Sequence, residues 1–309
     1  MNRSSCKVST TTFSIVAVDM QKKELGFAIS SCSYNSGLVC QAEAEIGVIA
    51  SQAQGNLAFL PLFFEKLGEK KTLKSILSHF KKTDMDIESR QIGMITSEGE
   101  KLAFTGKKCA FWCGHRTGED YSCQGNILVG SKVIENMAEA FENTKGSLVE
   151  RLYAALRAGD DAGGDARGKQ SARLLVKKRR GGALGSDTVT DITIEDHEEP
   201  VREIGRILRV KENILEGRQL CKATEKGNPE ALAKLEQFLK DKEDRVYIDF
   251  WTTIADVFFE KAIEEKAVYY YKKVLQISPK MINLLKQNAK TGKLPREIAE
   301  AILKEHGAH

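Results

Sequence analysis

"AGGDARGKQSARLLV" (162–176) is the stretch on which the fold turns. Gly163, Gly168 and Lys169 satisfy G-x-x-x-x-G-K, most of a phosphate-binding P-loop. A P-loop works because a strand delivers a glycine-rich turn to a helix N-terminus, where backbone N–H groups and the helix dipole converge on phosphate. Here the order is reversed. "LVERLYAALRAG" (148–159), with helical periodicity, precedes the glycines, and "SARLLV" (171–176), rich in β-formers, follows them. Position 170 is Gln, so the hydroxyl that would bind Mg²⁺ is missing. The stretch is expected to be a flexible turn entering a strand, with no nucleotide site. Asp160, Asp161, Asp165, Lys169, Gln170 and Ser171 crowd this turn. They read either as a solvated loop or as polar groups placed beside a site.

Outward from this turn the pattern alternates. "TFSIVAVD" (12–19) and "LGFAISSCSY" (25–34) read as a hairpin, and "EAEIGVIASQAQ" (43–54) as a further strand. "NLAFLPLFFEKLGEKKTLKSILSHFKK" (56–82) carries apolar residues every three or four positions and reads as helix. "RQIGMITSEGEKLAFTG" (90–106) reads as strand, turn, strand, and "SCQGNILVG" (122–130) as strand. Residues 131–159 read as two helices parted at Thr144–Gly146. "SARLLVKKR" (171–179) and "DTVTDITIED" (187–196) return to strand, and "PVREIGRILRVKENI" (200–214) is helix with proline at its start. Past residue 214 only helical patterns remain, in 227–242, 247–263, 265–277 and 295–306. An α+β or layered α/β domain followed by an all-α module is expected.

The totals bound the function class. The chain has 309 residues, 41% hydrophobic and 29% charged, which fits a soluble globular protein. A net charge of +4 carries no general nucleic-acid signature, and the run Lys177–Arg180 reads as a solvated strand end. No stretch reaches the roughly 18 apolar residues of a membrane span, so no membrane partner is expected. The N-terminus lacks the apolar region of a secretory signal, and the cysteine number is odd, at seven. A reducing, cytoplasmic location follows. Cys109, Cys113, His115 and Cys123 form C-x3-C-x-H-x7-C, the right ligand types for zinc. The tight C-x2-C knuckle is absent, so no metal and no cofactor is expected, and His115 reads as a pocket or structural histidine in an "HRTG" turn.

"TFSIVAVD", "GFAIS", "FTGKKCAFWCGHRTG", "YSCQGNILVG", "MAEAFENTKGSLVERLYAALRAG", "AGGDARGKQSARLLV" and "DHEEPVREIGRIL" occur in that order. As an ordered set over residues 12–213 they resemble an uncharacterised family of bacterial and archaeal proteins described as N-terminal-nucleophile (Ntn) hydrolases. The resemblance implies a four-layer αββα sandwich of two antiparallel sheets between helix layers. It also implies a nucleophile at the residue opening the first strand, here Thr12. An α-amine with pKa near ~8 serves there as base, which suits neutral pH better than a lysine at ~10.4. Eleven residues precede Thr12 in this chain, so its nitrogen is an amide unless the chain is cut between Thr11 and Thr12. Thr12 otherwise reads as a β-branched residue opening a strand.

Lys169 and Asn126 join Thr12 as candidate catalytic residues, Lys169 through its charge and Asn126 as an oxyanion donor. Ser31, Gln52, His115, Gln170 and Ser171 are candidate substrate contacts. As polar residues near turns, several of these could equally cap backbone. "WTTIADVFFEKAIEEKAVYYYKKVLQISP" (251–279) places Trp251, Ile254, Ala255, Phe258, Ala267, Tyr271, Val274 and Pro279 as in a tetratricopeptide (TPR) repeat. One repeat cannot bury its own faces, so flanking helices must serve as partners. The organisation expected is an extension (1–11), an Ntn-hydrolase-like domain (12–213) and a TPR-like module (214–309). Two functions fit: a hydrolase of amide or ester bonds in a small amide or peptide, or a non-catalytic ligand-binding or assembly scaffold whose helical module recruits a protein. Homo-oligomerisation fits either.

Overall fold

The computed structural model describes residues 12–242, 248–291, 294, 299–300 and 302. The expected extension 1–11 and most of the helix expected over 295–306 lie outside them. The chain divides into two units between Ile207 and Leu208. This division and the expected boundary at 213/214 fall in one helix, α5 (Pro200–Glu225).

The first unit is α+β with two antiparallel sheets. β1 (Phe13–Asp19) and β2 (Glu24–Ser31) form the expected hairpin. β3 (Cys40–Glu43), β4 (Gly47–Ala53), β5 (Arg90–Thr96) and β6 (Lys101–Thr105) make a four-stranded sheet in that order. β7 (Trp112–Thr117), β8 (Tyr121–Leu128), β9 (Ser171–Lys177) and β10 (Thr188–Ile194) join the hairpin in a six-stranded sheet, ordered β10-β9-β2-β1-β8-β7.

Period-two alternation decides how the sheets face. Val16 and Val18 of β1, Leu25, Phe27 and Ile29 of β2 and Leu175 of β9 share one buried cluster with Val48 and Ala50 of β4 and Ile95 of β5. The two sheets therefore pack on each other through these faces. The other face of β4 and β5, with Ile49, Ile92 and Met94, meets Phe59, Leu60 and Phe63 of α1 (Phe59–Gly68) and Leu73, Ile76 and Phe80 of α2 (Leu73–Thr83). α3 (Lys132–Asn143) runs along β7 and β8, and α4 (Leu148–Asp161) along β1 and β2. A Cβ on Gly159 of α4 would stand 3.2 Å from the Phe13 ring, so the small residue lets this helix lie close to β1.

Two expectations on local structure change. The single helix expected over 56–82 is two, because Thr72 adopts an extended backbone and its hydroxyl caps a new helix by accepting from Ser75 N–H. His115 lies in strand β7 and not in a turn; it pairs with Gln124 of β8. Neighbouring Arg116 pairs with Cys123, so His115 and Cys123 point to opposite faces of the sheet. The glycine stretch reads as expected: α4 precedes it and β9 begins at Ser171.

The second unit is helical among its described residues. After α5 come α6 (Pro229–Lys242), α7 (Ile248–Glu260), α8 (Glu264–Ile277) and α9 (Ile282–Lys290). Trp251, Ile254, Ala255 and Phe258 of α7 and Ala267, Tyr271 and Val274 of α8 are all buried in one cluster. Ala255 and Ala267 are the small members, and Pro279 stands just past the end of α8, where it cannot continue the helix.

Candidate functional site

Thr12 precedes β1 and is fully buried. Its carbonyl is the focus of three donors. Asn126 N–H reaches it at 3.1 Å, Gln52 Nε2 at 3.4 Å and Asn126 Nδ2 at 3.5 Å. The register Phe13↔Ser30, continued by one residue, brings Ser31 beside Thr12 on the other neighbouring strand. The inter-sheet face thus gathers Thr12, Asn126 and Gln52 by contact and Ser31 by register.

These amides belong to a longer buried chain that the sequence reading missed. Ser122 Oγ donates to Gln124 Oε1 (2.9 Å), and Gln124 Nε2 donates to Ser14 Oγ (2.7 Å). Ser14 Oγ donates to Gln52 Oε1 (2.7 Å), and Gln52 Nε2 to Gln91 Oε1 (2.8 Å). Gln91 Nε2 shares its hydrogens among Thr105 Oγ1 (2.9 Å), Gly114 O (3.0 Å) and Gly125 O (2.8 Å). Thr105 Oγ1 also shares a hydrogen bond of 2.9 Å with His115 Nδ1. Burial pushes the His115 imidazole below its ordinary value. Ser14, Gln52, Gln91, Ser122 and Gln124 are all fully buried. A buried amide is retained only when its donors and acceptors are paired, and here each partner orients the next. The available signal was parity: polar residues stand at inward positions of otherwise apolar strands.

Both strands that deliver amides to Thr12 turn sharply after doing so. Ala53 follows Gln52 with φ +67, and Ile127 follows Asn126 with φ +48. The β7–β8 register shifts between Trp112 and Gly114, so Asn126 and Ile127 form a bulge. A left-handed backbone is costly for a β-branched residue, and bulges commonly re-aim side chains beside functional sites.

The turn beyond Gln52 is clamped by Asp84. Its carboxylate accepts from Asn56 Nδ2 (2.9 Å), Asp86 N–H (2.9 Å) and Arg90 Nε (3.0 Å), while Arg90 also donates to Gln54 O. Burial alone would raise this carboxyl; Arg90, Asn56 and the Asp86 N–H outweigh it and hold it below the ordinary range. A carboxyl held below its unfolded value stabilises the fold at neutral pH, and that contribution fades as pH falls toward the lowered value. Asp84→Asn is therefore expected to cost about 2 kcal/mol near pH 7. The gap to wild type should close below about pH 4. Denaturant melts at both pH values read this directly.

The remaining candidates find other partners. The Lys169 ammonium lies 2.9 Å from Asp160, whose side chain is 2% exposed, and 2.7 Å from Glu199. A buried carboxylate demands a cation, and that demand places this side chain. Burial alone would lower the ammonium's pKa, but Glu199 and Asp160 raise it, so Lys169 stays charged. With Asp196, His197 and Glu198 it lines a surface depression. Gln170 donates from Nε2 to Asp196 at 3.2 Å, and its backbone N–H reaches Ser31 O at 3.0 Å. Ser171 Oγ donates to Ser33 O (2.6 Å) and accepts from Ser36 N–H (3.0 Å), pinning the loop after β2.

The glycine turn packs against the same end of the sheet. Asp165 accepts from Cys32 N–H at 3.0 Å and from the Arg167 guanidinium at 2.9 Å. Gly164 has φ +53, and a Cβ there would stand 2.9 Å from the Phe13 ring. The glycines thus let the turn lie over the residue next to Thr12. Among the described residues no group of three or more His, Cys, Asp or Glu side chains is placed to hold a metal ion. Among the same residues no helix is long and apolar enough to cross a membrane.

Fold and site together define an α+β protein of two facing antiparallel sheets with a buried amide cluster at the start of its first strand. The chain belongs to a family of unknown function, DUF1028, whose match spans residues 12–204. It is similar to the crystal structure of protein SPO2555 from Silicibacter pomeroyi, of the same family, with 25% identity and a TM-score of 0.58. That likeness covers 64% of this chain and 88% of the other. No curated protein matches.

Proposed function

We propose that the chain is an Ntn-type hydrolase acting on an amide or ester bond, with the Thr12 hydroxyl as nucleophile. The observation that carries this reading is the setting of Thr12. It is the residue before β1, it is buried on the inter-sheet face, and Asn126 and Gln52 hold its carbonyl. The family match also begins at Thr12. Helices α1 and α2 on one sheet, and α3 and α4 on the other, fit the αββα arrangement of that class. The α7–α8 pair fits a TPR-like unit that binds a protein or peptide.

In the chemistry proposed, the chain is first cut before Thr12. The freed α-amine takes the hydroxyl proton as Oγ1 attacks the substrate carbonyl carbon. The tetrahedral intermediate collapses to an acyl ester on Thr12, and the leaving amine or alcohol departs with the proton. Water then attacks the ester, returning the hydroxyl and releasing the acid. The 3.5 Å contact from Asn126 Nδ2 to Thr12 O is the weakest of the three, so that hydrogen is the one able to turn to an oxyanion. Ser31, beside Thr12 by register, is the substrate contact, while the Gln52 amide, committed to Ser14, Gln91 and Thr12 O, holds the site. Lys169, paired with two carboxylates, acts by tying the glycine turn to α4 and to Glu199, the residue before α5.

A second reading is favoured by one observation: Thr12 follows Thr11, so its nitrogen in this chain is an amide. An uncut chain would be a ligand-binding or assembly scaffold. Intact-mass measurement of the purified protein shows whether residues 1–11 are removed. Screening amide and ester substrates against wild type and Thr12→Ala then separates the readings, since only a Thr12 hydrolase loses turnover in the variant.

A further inference from the structure

Both side-chain amides that reach the Thr12 carbonyl, those of Gln52 and Asn126, are oriented through Gln91. Its Nε2 faces two backbone carbonyls, Gly114 O and Gly125 O, which can only accept. Its orientation is therefore fixed, with Oε1 facing away from them. Oε1 in turn accepts from Gln52 Nε2 (2.8 Å) and Asn126 Nδ2 (3.0 Å). Each of those nitrogens has one more hydrogen, and each is aimed at Thr12 O. Gln91 comes from the four-stranded sheet, whereas Gly114, Gly125 and Asn126 belong to the six-stranded one. It thus locks the two sheets in register at the end where Thr12 sits.

We propose that Gln91 is the positioning residue of the Thr12 site, setting the Gln52 and Asn126 amides so that both present nitrogen to the Thr12 carbonyl. The inference rests on the reading of Thr12 as the reacting residue, but its geometry is testable without turnover. Together with the Asn126 backbone N–H, the two side-chain contacts fix that carbonyl, the first peptide plane of β1, and with it the directions of the Thr12 nitrogen and Oγ1.

The test uses the full chain and two replacements of similar size. Gln91→Glu, buried and protonated, keeps an acceptor toward Gln52 and Asn126 and one donor toward the carbonyls. Gln91→Met fills the space and offers neither. Side-chain amide exchange of Gln52 and Asn126, followed by NMR, is expected to accelerate at least 100-fold in Gln91→Met, with the Thr12 carbonyl carbon moving upfield. In Gln91→Glu both should stay within about 10-fold of wild type. A packing role predicts the reverse order, with methionine the better tolerated. If Gln91→Met does not fold, Gln91→Asn, which keeps an amide but is one methylene too short to reach both the carbonyls and the two amides, should show the same shifts at smaller size. Unchanged amide exchange in the folded variants, or methionine behaving as well as glutamate, overturns the proposal. A Thr12 without hydrolytic activity would instead overturn the hydrolase reading and leave these shifts as they are.

Discussion

A chain cut to begin at Thr12 is expected to hydrolyse its substrate about 10²–10⁴-fold faster than the uncut chain, the usual worth of a positioned acid–base group. The cause is electronic. As an amide, the Thr12 nitrogen is not basic at neutral pH and cannot take the hydroxyl proton. As a free amine with pKa near ~8, it can. The rate should rise with pH through that value as the amine loses its proton. Lys169 adds little to this titration, because Asp160 and Glu199 neutralise its charge at 2.9 and 2.7 Å. Three proteins are compared: the full chain, the chain cut to begin at Thr12, and that cut chain with Thr12→Ala. Activity confined to the second is the expected result. Equal rates in all three would remove Thr12 from the chemistry.

A large loss of stability is expected from Gly93→Ala. A Cβ there would stand 2.2 Å from Gln124 Oε1 and 2.5 Å from its Cδ, well inside contact distance. Gln124 would have to swing away, leaving Ser14 and Ser122 without the bonds it now makes to them. Each buried polar group orphaned this way costs roughly 1–3 kcal/mol, so Gly93→Ala should destabilise the first unit by about 3–5 kcal/mol. That corresponds to roughly 10 °C or more in the midpoint of a domain this size. The double variant Gly93→Ala/Gln124→Ala makes room for the new methyl and should be less unstable than the sum of the singles. Additive effects, or a loss under about 1 kcal/mol, would mean that the amide chain is not as tightly held as its distances imply.

The sequence told the fold and the site apart unevenly, for physical reasons. Order alone rejected the P-loop, since helix, glycines and strand follow one another in the wrong sense for phosphate. Strand periodicity placed Gln52 and Asn126 on strands, and Thr12 at the start of one. It did not reveal β7, because "WCGHRT" has neither β-branched alternation nor a turn signal before it. The break at Thr72 was hidden by apolar spacing that continues across it. Gln91 and Gln124 were passed over because single glutamines in apolar strands read as solvent-facing until the second sheet covers them. The partners of Lys169 were not legible either: the buried Asp160 that binds it lies on the preceding helix, and no local pattern announces that burial.

If the Thr12 hydroxyl is the reacting group, a peptidyl β-lactone, an acylating probe for nucleophilic hydroxyls, should label the chain beginning at Thr12. Peptide mapping is expected to find one acyl group per chain, on Thr12, absent from Thr12→Ala and slowed at pH values where the α-amine is protonated. No adduct, or an adduct on Ser31 or Cys32 that persists in Thr12→Ala, would remove Thr12 as the nucleophile.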